Sequence, residues 1–196
     1  MPILTRRERE RAQREKLIIT AARELAEAEG WQAVTTRRLA ERIEYSQPVL
    51  YSHFTGMDAI MAAIAVEGFA DLADEVRAAR IAAPDTHRAL AAVSAVYTAF
   101  ADRHPAVYDA MFSQTVDLPF ATPQAPPALH AGFDELAEAV RPYARGDDLG
   151  LLTETFWAAL HGLVTLKRGG RLPAEQQDRR LELLLARFTD QRPQSS

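Results

Sequence analysis

The chain has 196 residues, of which 47% are hydrophobic and 26% are charged, with a formal net charge of −4 at pH 7. These values are typical of an ordinary globular protein of one or two domains. Cysteine is absent, which excludes disulfides, thiolate metal sites and cysteine nucleophiles.

The composition and the charge pattern narrow the class of protein further. Alanine and leucine dominate and runs of β-branched residues are scarce, so helices are favoured nearly throughout. We find no start typical of a signal peptide and no apolar run of membrane-spanning length, so we expect a cytoplasmic protein without membrane contact. Residues 1–55 hold ten Lys and Arg against eight Asp and Glu, whereas residues 56–196 hold thirteen against nineteen. The basic excess lies in the first part, where a nucleic acid would bind.

The first part of the chain predicts three helices. Apolar residues repeat at Leu17, Ala21 and Leu25 in a helix from about Arg9 to Glu29, which ends at a glycine. A second helix begins at the following pair of threonines, and its apolar residues face inward at a spacing of four. A tight turn then leads to a third helix with proline in its first turn. This arrangement is a helix-turn-helix, whose second helix can enter the major groove of DNA.

The remainder of the chain predicts six further helices, separated by breaks rich in proline and glycine. The predicted fold is therefore all-α with about nine helices. We assign residues 1–55 to a three-helix DNA-binding domain and residues 56–196 to a larger helical domain for ligand binding and dimerisation. The six helices are expected at about 57–80, 86–103, 105–112, 128–144, 149–168 and 174–189, with a proline-rich loop over 113–127.

The side chains of the helix-turn-helix suit contacts with DNA. Hydroxyls and backbone amides at a helix start can bind a phosphate. In the major groove, a guanidinium can hydrogen-bond to guanine and a glutamine amide to adenine, while small apolar groups pack on thymine methyls. The candidate DNA-binding residues are Thr35, Thr36, Arg37, Gln47, Pro48, Val49, Tyr51, Ser52 and His53. A purely structural interpretation stays open, in which the charged residues form a solvated face: Arg37, Arg38 and Arg42 with Glu41 and Glu44.

Two segments carry a resemblance to a known family. Thr-Thr-Arg-Arg-Leu-Ala-Glu-Arg at 35–42 and Gln-Pro-Val-Leu-Tyr-Ser-His-Phe at 47–54 resemble the DNA-binding region of the tetracycline-repressor (TetR) family, over about residues 13–66. The resemblance implies an all-helical homodimeric transcription regulator, usually a repressor, that a small molecule releases from a double-stranded DNA operator. It also implies base contacts from Arg37, Gln47 and Pro48, and phosphate contacts from Thr36, Tyr51, Ser52 and His53.

The sequence departs from that family's pattern at two positions. Glu44 stands in the turn where glycine is usual, so we expect a non-glycine residue in the left-handed conformation, at a cost of about 1 kcal/mol. Met57 stands where a phosphate-contacting lysine often opens the fourth helix, which should weaken the salt-dependent part of DNA affinity.

The second part of the chain predicts a ligand site and a dimer face. Aromatic residues at helical spacing are most often core, but together with a few polar groups they suit a largely hydrophobic ligand. The candidate ligand-binding residues are Tyr97, Phe100, Tyr108, Met111, Phe112, Phe133, Trp157 and His161. The segment 156–166, Phe-Trp-Ala-Ala-Leu-His-Gly-Leu-Val-Thr-Leu, resembles the Trp/His-Gly signature of one TetR subgroup. The eighth and ninth helices carry more apolar surface than one helix pair can bury, so we expect them to form the homodimer face.

Other interpretations stay open at this point. The arginines between Arg6 and Arg14 could form a basic arm that enters a minor groove, or a solvated extension of the first helix. An enzyme is disfavoured because the sequence holds no nucleophile elbow, phosphate loop or metal-binding helix motif, so we predict no catalytic residue, no metal and no cofactor. A third possibility is a helical module that binds a small molecule or protein and has lost DNA binding.

Overall fold

A computed structural model describes residues 5–112, 118–119 and 122–189. Within those ranges the chain forms nine α-helices, joined by short turns and 3-10 segments, and no β-strand, as the sequence predicts. Part of the predicted loop over 113–127 lies outside the described residues. The helices are α1 (Arg6–Glu29), α2 (Thr36–Arg42), α3 (Gln47–His53), α4 (Met57–Ala82), α5 (Thr86–Arg103), α6 (Pro105–Met111), α7 (Pro127–Val140), α8 (Leu149–Arg168) and α9 (Gln177–Thr189).

Among the helix ends that differ from the predicted ones, two have a clear local reason. α1 begins at Arg6 because Thr5 and Glu8 form a capping box: the Thr5 hydroxyl accepts from the Glu8 amide, and the Glu8 carboxylate accepts from the Thr5 amide at 2.6 Å. α7 ends at Val140 and continues as a 3-10 segment, because Pro142 cannot donate a helical hydrogen bond.

The chain divides into two compact units. Unit 1 comprises residues 1–69 and 104–126, and unit 2 comprises residues 70–103 and 127–196. The border falls within α4, after Phe69. These packing units do not coincide with the functional division at residue 55, which we retain as a proposal.

Unit 1 contains α1–α3, the first part of α4, and α6. Its core is apolar, with Ile18, Leu39, Leu50 and Ile64 almost completely buried. α6 packs on α1 through two polar contacts. The carboxylate of Glu27 accepts hydrogen bonds from the first backbone amides of α6, and the indole nitrogen of Trp31 donates to a backbone oxygen there at 2.9 Å. A carboxylate at a helix N-terminus is stabilised by the free amides and the helix dipole.

Unit 2 contains the second part of α4 and α5, α7, α8 and α9. α5 supplies much of the core, and Leu90, Val93 and Phe100 are fully buried. The carboxylate of Glu135 in α7 is also buried and accepts hydrogen bonds from two arginines of α4, Arg77 and Arg80. A buried carboxylate without such partners would be strongly unfavourable.

α8 is the longest strongly apolar helix of unit 2. By length and composition α8 could cross a membrane. The same holds for α3 and α4 taken together, with a bend between them. However, α8 packs against other helices of unit 2, with Phe156, Leu160 and Val164 fully buried. Core helices of soluble proteins meet the same criterion of length and composition.

Candidate nucleic-acid interface

In the turn between α2 and α3, one residue adopts the left-handed backbone conformation and ends α2. Glu44 has φ 58°, the left-handed conformation that the resemblance to a family with glycine at this position led us to expect. The amide of Tyr45 donates to the Ala40 oxygen at 3.0 Å, and the amide of Glu44 donates to the Glu41 oxygen at 3.4 Å. This pair of hydrogen bonds is the Schellman motif, in which glycine usually takes the left-handed position. The turn therefore keeps the geometry of a glycine turn with glutamate in its place.

α3 exposes one face and buries the other. Leu50 is 1% exposed and anchors the helix in the core of unit 1. On the other side Gln47, Pro48, Tyr51 and Ser52 are exposed, and the side chain of Tyr51 is prominent. Val49 is half-buried. The predicted outward residues of α3 therefore lie together on one accessible surface, the position that a reading helix needs.

The start of α2 carries three of the candidate DNA-binding residues. Thr35 is exposed and caps α2, its hydroxyl accepting from the Arg38 amide at 3.3 Å, and Thr36 is half-buried at the first helical position. Arg37 is highly exposed, and its Nε donates to Glu41 at 2.9 Å on the same helix. Exposed pairs at this spacing contribute only about 0.2–0.5 kcal/mol, so DNA can displace this one readily.

The other two arginines of α2 have structural partners. Arg38 donates to both carboxylate oxygens of Glu29, at 2.7 and 2.9 Å, and Arg42 donates to Glu24 at 2.8 Å. The hydrogen bond from Arg38 holds the pKa of Glu29 below its ordinary value. These pairs join α2 to α1. Of the pairing that the solvated-face interpretation predicts, the structure shows Arg37 with Glu41, whereas Arg38 and Arg42 pair with glutamates of α1.

His53 occupies a different position from the other candidates. Its side chain is only 5% exposed, and its Nδ1 lies 3.3 Å from a carboxylate oxygen of Glu15 in α1. The other candidates of α3 point outward, whereas this ring faces α1. The predicted phosphate contact of His53 thus has no exposed ring to support it in this conformation.

The basic N-terminal segment is helical from Arg6 onward. Arg6 pairs with Glu10 and Arg11 with Glu15, each at 2.8 Å and four positions apart. Of the two interpretations of this segment, the described residues therefore fit an extension of α1 better than an extended arm.

The candidate ligand-binding residues are divided between the two units. In unit 1, Tyr108 and Met111 of α6 are buried, and the Phe112 ring packs against Tyr108 and Phe69 at centroid distances of 4.7 and 5.5 Å. In unit 2, Tyr97 and Phe100 are buried, Phe133 is half-buried, and further candidates lie on α8.

The candidates of unit 2 form one polar contact of note. Trp157 Nε1 donates to the Tyr97 hydroxyl at 3.0 Å, and the His161 ring lies 6.2 Å from the Trp157 indole. Burial lowers the pKa of His161, so the ring favours its neutral form. Within the part of the chain that the structure describes, no group of three acidic or histidine side chains is placed to hold a metal ion.

Sequence reasoning missed the residues that fix these elements in place. Glu27, Trp31 and Glu135 all make polar contacts with residues more than 50 positions away. From the sequence alone, each is indistinguishable from an ordinary surface residue or a residue with only local contacts. The one available signal was the presence of a charged residue on an otherwise apolar helix face, which is weak on its own.

Two family profiles match this chain, over separate stretches of the sequence. The family profile described as bacterial regulatory proteins, tetR family, matches residues 18–64. The profile described as tetracyclin repressor-like, C-terminal domain, matches residues 90–188, about half of the chain. The chain belongs to the TetR family. It is therefore a TetR-family transcription regulator, and this family membership implies DNA binding and a non-enzymatic role.

Individual relatives agree with this assignment. The chain is 31% identical over 103 residues to the uncharacterized HTH-type transcriptional regulator YobS of Bacillus subtilis, and the match spans about half the length of each protein, 53% of both. A Rhodococcus protein of unknown function has a similar structure, with a TM-score of 0.73 and 25% identity over 89% of this chain and 92% of that one. The regulator RolR, solved with resorcinol, shares the fold at a TM-score of 0.66 and 16% identity, over 96% of this chain and 99% of RolR.

Proposed function

We propose that this TetR-family protein is a ligand-responsive repressor of the cytoplasm, which a small, largely hydrophobic molecule releases from a palindromic operator. The observation that carries the proposal is the outer face of α3, where Gln47, Pro48, Tyr51 and Ser52 are exposed while Leu50 is buried. An exposed polar and aromatic face on a short, well-anchored helix after a tight turn is what major-groove reading requires.

The DNA contacts are divided between the two helices of the motif. Gln47 would bond the edge of adenine, Arg37 would reach a guanine or a phosphate, and Pro48 would pack on a thymine methyl. Thr35, Thr36, Tyr51 and Ser52 would contact phosphates and fix the register of α3. The phosphate contacts supply affinity, and the base contacts supply specificity.

A homodimer on α8 and α9 would place two reading helices on one operator. α8 leaves Leu151 64% exposed and Leu166 46% exposed, and α9 leaves Leu183 54% exposed. Exposed large aliphatic side chains on these two helices support a protein interface there, provided that a partner covers them together. A two-fold dimer of this kind reads half-sites about one DNA turn apart, roughly 34–36 Å.

The ligand proposal is argued from the candidate residues of unit 2. The hydroxyl of Tyr97 accepts from the indole of Trp157 and is itself a hydrogen-bond donor, and a neutral His161 can both donate and accept. RolR shows that a protein of this fold can hold resorcinol, a small aromatic molecule with two hydroxyls. This supports the chemical class of the effector and not its identity.

One series of measurements tests the whole proposal. The full-length protein is used to select duplexes from a random library, and the selected sequences are expected to form a palindrome whose half-sites are about 10 base pairs apart. Sedimentation should give a dimer at micromolar concentration, and Leu166→Glu with Leu183→Glu should give a folded monomer that binds the palindrome weakly. A selection without sequence preference, or a wild-type monomer on DNA, would overturn the proposal.

The ligand response is tested separately on the same operator. A panel of small phenols, aromatic acids and fatty acids is added to the preformed complex, and release is followed by fluorescence anisotropy. We expect at least one compound to weaken binding, and Trp157→Ala to abolish that response without changing operator affinity in the absence of ligand. An effector that strengthens DNA binding would contradict the repressor mechanism, because a ligand favours whichever state it binds better.

A further inference from the structure

The first turns of α1 carry a basic face beside α3. Arg7, Arg11 and Arg14 follow one another at spacings of four and three residues, so they lie on one side of the helix. Together with Glu10 of α1 and Ser52 and His53 of α3 they line an open cleft of about 260 Å³, which we call the arginine cleft.

The cleft is held in a fixed position relative to the reading helix. Glu15 of α1 accepts a hydrogen bond from Arg11 at 2.8 Å and lies 3.3 Å from Nδ1 of His53 at the end of α3. The buried His53 ring therefore serves as the contact between the two helices. A guanidinium on this side of α1 thus keeps a defined distance from the exposed end of α3.

The charge in the cleft is positive. Within the described part of the chain Arg7 and Arg14 make no ion pair. The carboxylate of Glu10 forms an ion pair at 2.8 Å with Arg6, which lies outside the cleft, so Glu10 does not neutralise the cleft arginines. Arg11 donates through Nε to Glu15 and keeps both of its Nη groups for another acceptor. Three guanidiniums around an open space form a site for a tetrahedral or bridging anion such as phosphate, which they bind through paired N–H donors.

We propose that the arginine cleft binds a phosphodiester of the DNA backbone, next to the segment that α3 reads. This inference rests on the proposed function and adds a contact to it. The exposed Ser52 lies both on the cleft and on the predicted phosphate-contacting end of α3, so one backbone strand can run from one to the other. A phosphate is favoured over the minor groove because α1 is helical from Arg6, and a groove about 6 Å wide admits an extended arm but no helix.

The experiment measures how DNA affinity depends on salt. Dissociation constants of the full-length protein are determined from about 50 to 200 mM KCl, on the selected operator and on a duplex of random sequence. The variants are Arg7→Ala, Arg11→Ala and Arg14→Ala. Arg9→Ala is the matched control, since it removes the same charge from an exposed position on the opposite side of α1. Circular dichroism confirms that each variant is folded.

The expected result is a smaller salt dependence for the cleft variants alone. Each lost phosphate contact reduces the slope of log K against log salt by about 0.9, or about 2 for the two protomers of a dimer. The slope should change equally on both duplexes, and the selected sequence should stay the same, because phosphates carry no sequence information. Arg7→Lys, which keeps the charge, should retain most of the slope.

Three outcomes would overturn the inference. The first is that the cleft variants show the same salt slope as Arg9→Ala. The second is a loss that depends on A·T content beside the half-site, which would indicate minor-groove reading. The third is an unchanged slope on the random duplex. A wild-type protein that selects no operator would contradict the proposed function, while the slopes on the random duplex would still decide the role of the cleft.

Discussion

Arg80 of α4 holds one oxygen of the buried Glu135 carboxylate with two hydrogen bonds, 3.0 Å from Nε and 2.6 Å from Nη2. Arg77, one turn earlier, holds the other oxygen at 2.6 Å. Burial on its own would raise the pKa of Glu135, but the hydrogen bonds from the two arginines outweigh it, and the pKa lies below its ordinary value. The ionised carboxylate is thus the form that stabilises unit 2.

Replacing this carboxylate should change how stability depends on pH. A lowered pKa means that the contribution is present above the unfolded value of about 4.3 and is lost as pH falls through the folded value. We expect Glu135→Gln to lower the free energy of unfolding by about 2 kcal/mol near pH 7. This is less than the 3–5 kcal/mol found when a fully buried pair is broken, because Arg77 is half exposed. Urea unfolding from pH 3 to 7 should show the gap closing in acid.

The neighbouring Glu138 offers a matched control for that experiment. It lies on the same helix and pairs with Arg141 at 2.6 Å, but its side chain is 44% exposed. Exposed pairs contribute little to stability, so Glu138→Gln should leave the unfolding curve unchanged. An equal effect of both variants would show that the buried position of Glu135 is irrelevant.

Glu44 is predicted to be a strained residue in an otherwise favourable turn. Because glycine takes φ 58° without a Cβ penalty, Glu44→Gly should raise the free energy of unfolding by about 1 kcal/mol. Glu44→Ala keeps the Cβ and should give no such gain. Both variants are compared by urea unfolding at one protein concentration. A gain with alanine and none with glycine would refute the strain argument.

The reading residues are predicted to affect discrimination rather than folding. Gln47→Ala and Arg37→Ala should each reduce the preference for the selected operator over a single mismatch by about 1–3 kcal/mol, with unchanged melting temperature. Competition binding with matched and mismatched duplexes measures this difference. Gln176→Ala, which truncates an exposed glutamine of unit 2, is the control and should leave discrimination intact. A uniform loss across all duplexes would instead assign Gln47 to the phosphate contacts.

Any side chain at Gly68 of α4 is predicted to lower the stability of the protein, because α6 packs directly on this position. A Cβ at this position would meet the Val107 side chain and lie 2.9 Å from the sulfur of Met111. Gly68→Ala should therefore destabilise the protein by about 1–3 kcal/mol, as overpacked cores do. Adding Val107→Ala should recover part of that loss in a double-mutant cycle.

Gly132 of α7 is the control for this substitution. It is also helical, but apart from the adjacent backbone of its own helix no atom of the described residues lies within 4 Å of the position that a Cβ would take. Alanine is the better helix former by about 1 kcal/mol, so Gly132→Ala should stabilise the protein. If both glycines responded alike, helix propensity rather than the contact with α6 would explain the effect.

The contact between α1 and α6 gives a further prediction. Glu27 accepts from the amides of Ala106 and Val107 at 3.1 and 3.0 Å, and these are charge-assisted hydrogen bonds. Glu27→Gln should lower the free energy of unfolding by about 1–2 kcal/mol. Glu24→Gln, which removes an exposed partner of Arg42, should have a smaller effect. Hydrogen exchange at α6 should increase only in the first variant.

The helices and the turn were predictable because their signals are local. Ala21 and Leu25 of the predicted apolar repeat are buried in α1, whereas Leu17 is 43% exposed and Ile18 beside it is buried instead. The cap Thr35 and the turn residue Glu44 lie at the two ends of α2, within a few residues of the feature they set. The left-handed conformation of Glu44 was predicted from the resemblance, because glycine is usual there in the family. The outward face of α3 followed from the inward positions predicted for Leu50 and Phe54.

The remainder depends on partners that are distant in the sequence. Nothing near Trp31 indicates that its indole donates to a residue 75 positions later, and nothing near Glu135 indicates two arginines of α4. The burial of His53 is a similar case, since Glu15 lies 38 positions away. Helical periodicity gives the face on which a residue lies, but the partner across that face is set by tertiary packing.

Unit 1 is assembled from two separate stretches of chain, and this limits how the DNA reader can be isolated. A fragment that ends at residue 55, or even at residue 69, would lack α6, leaving the carboxylate of Glu27 and the indole of Trp31 without their partners. Such a fragment would expose apolar surface of α1 to water and tend to aggregate. A grafted or minimal reader must therefore also carry residues 104–126, or a substitute for them.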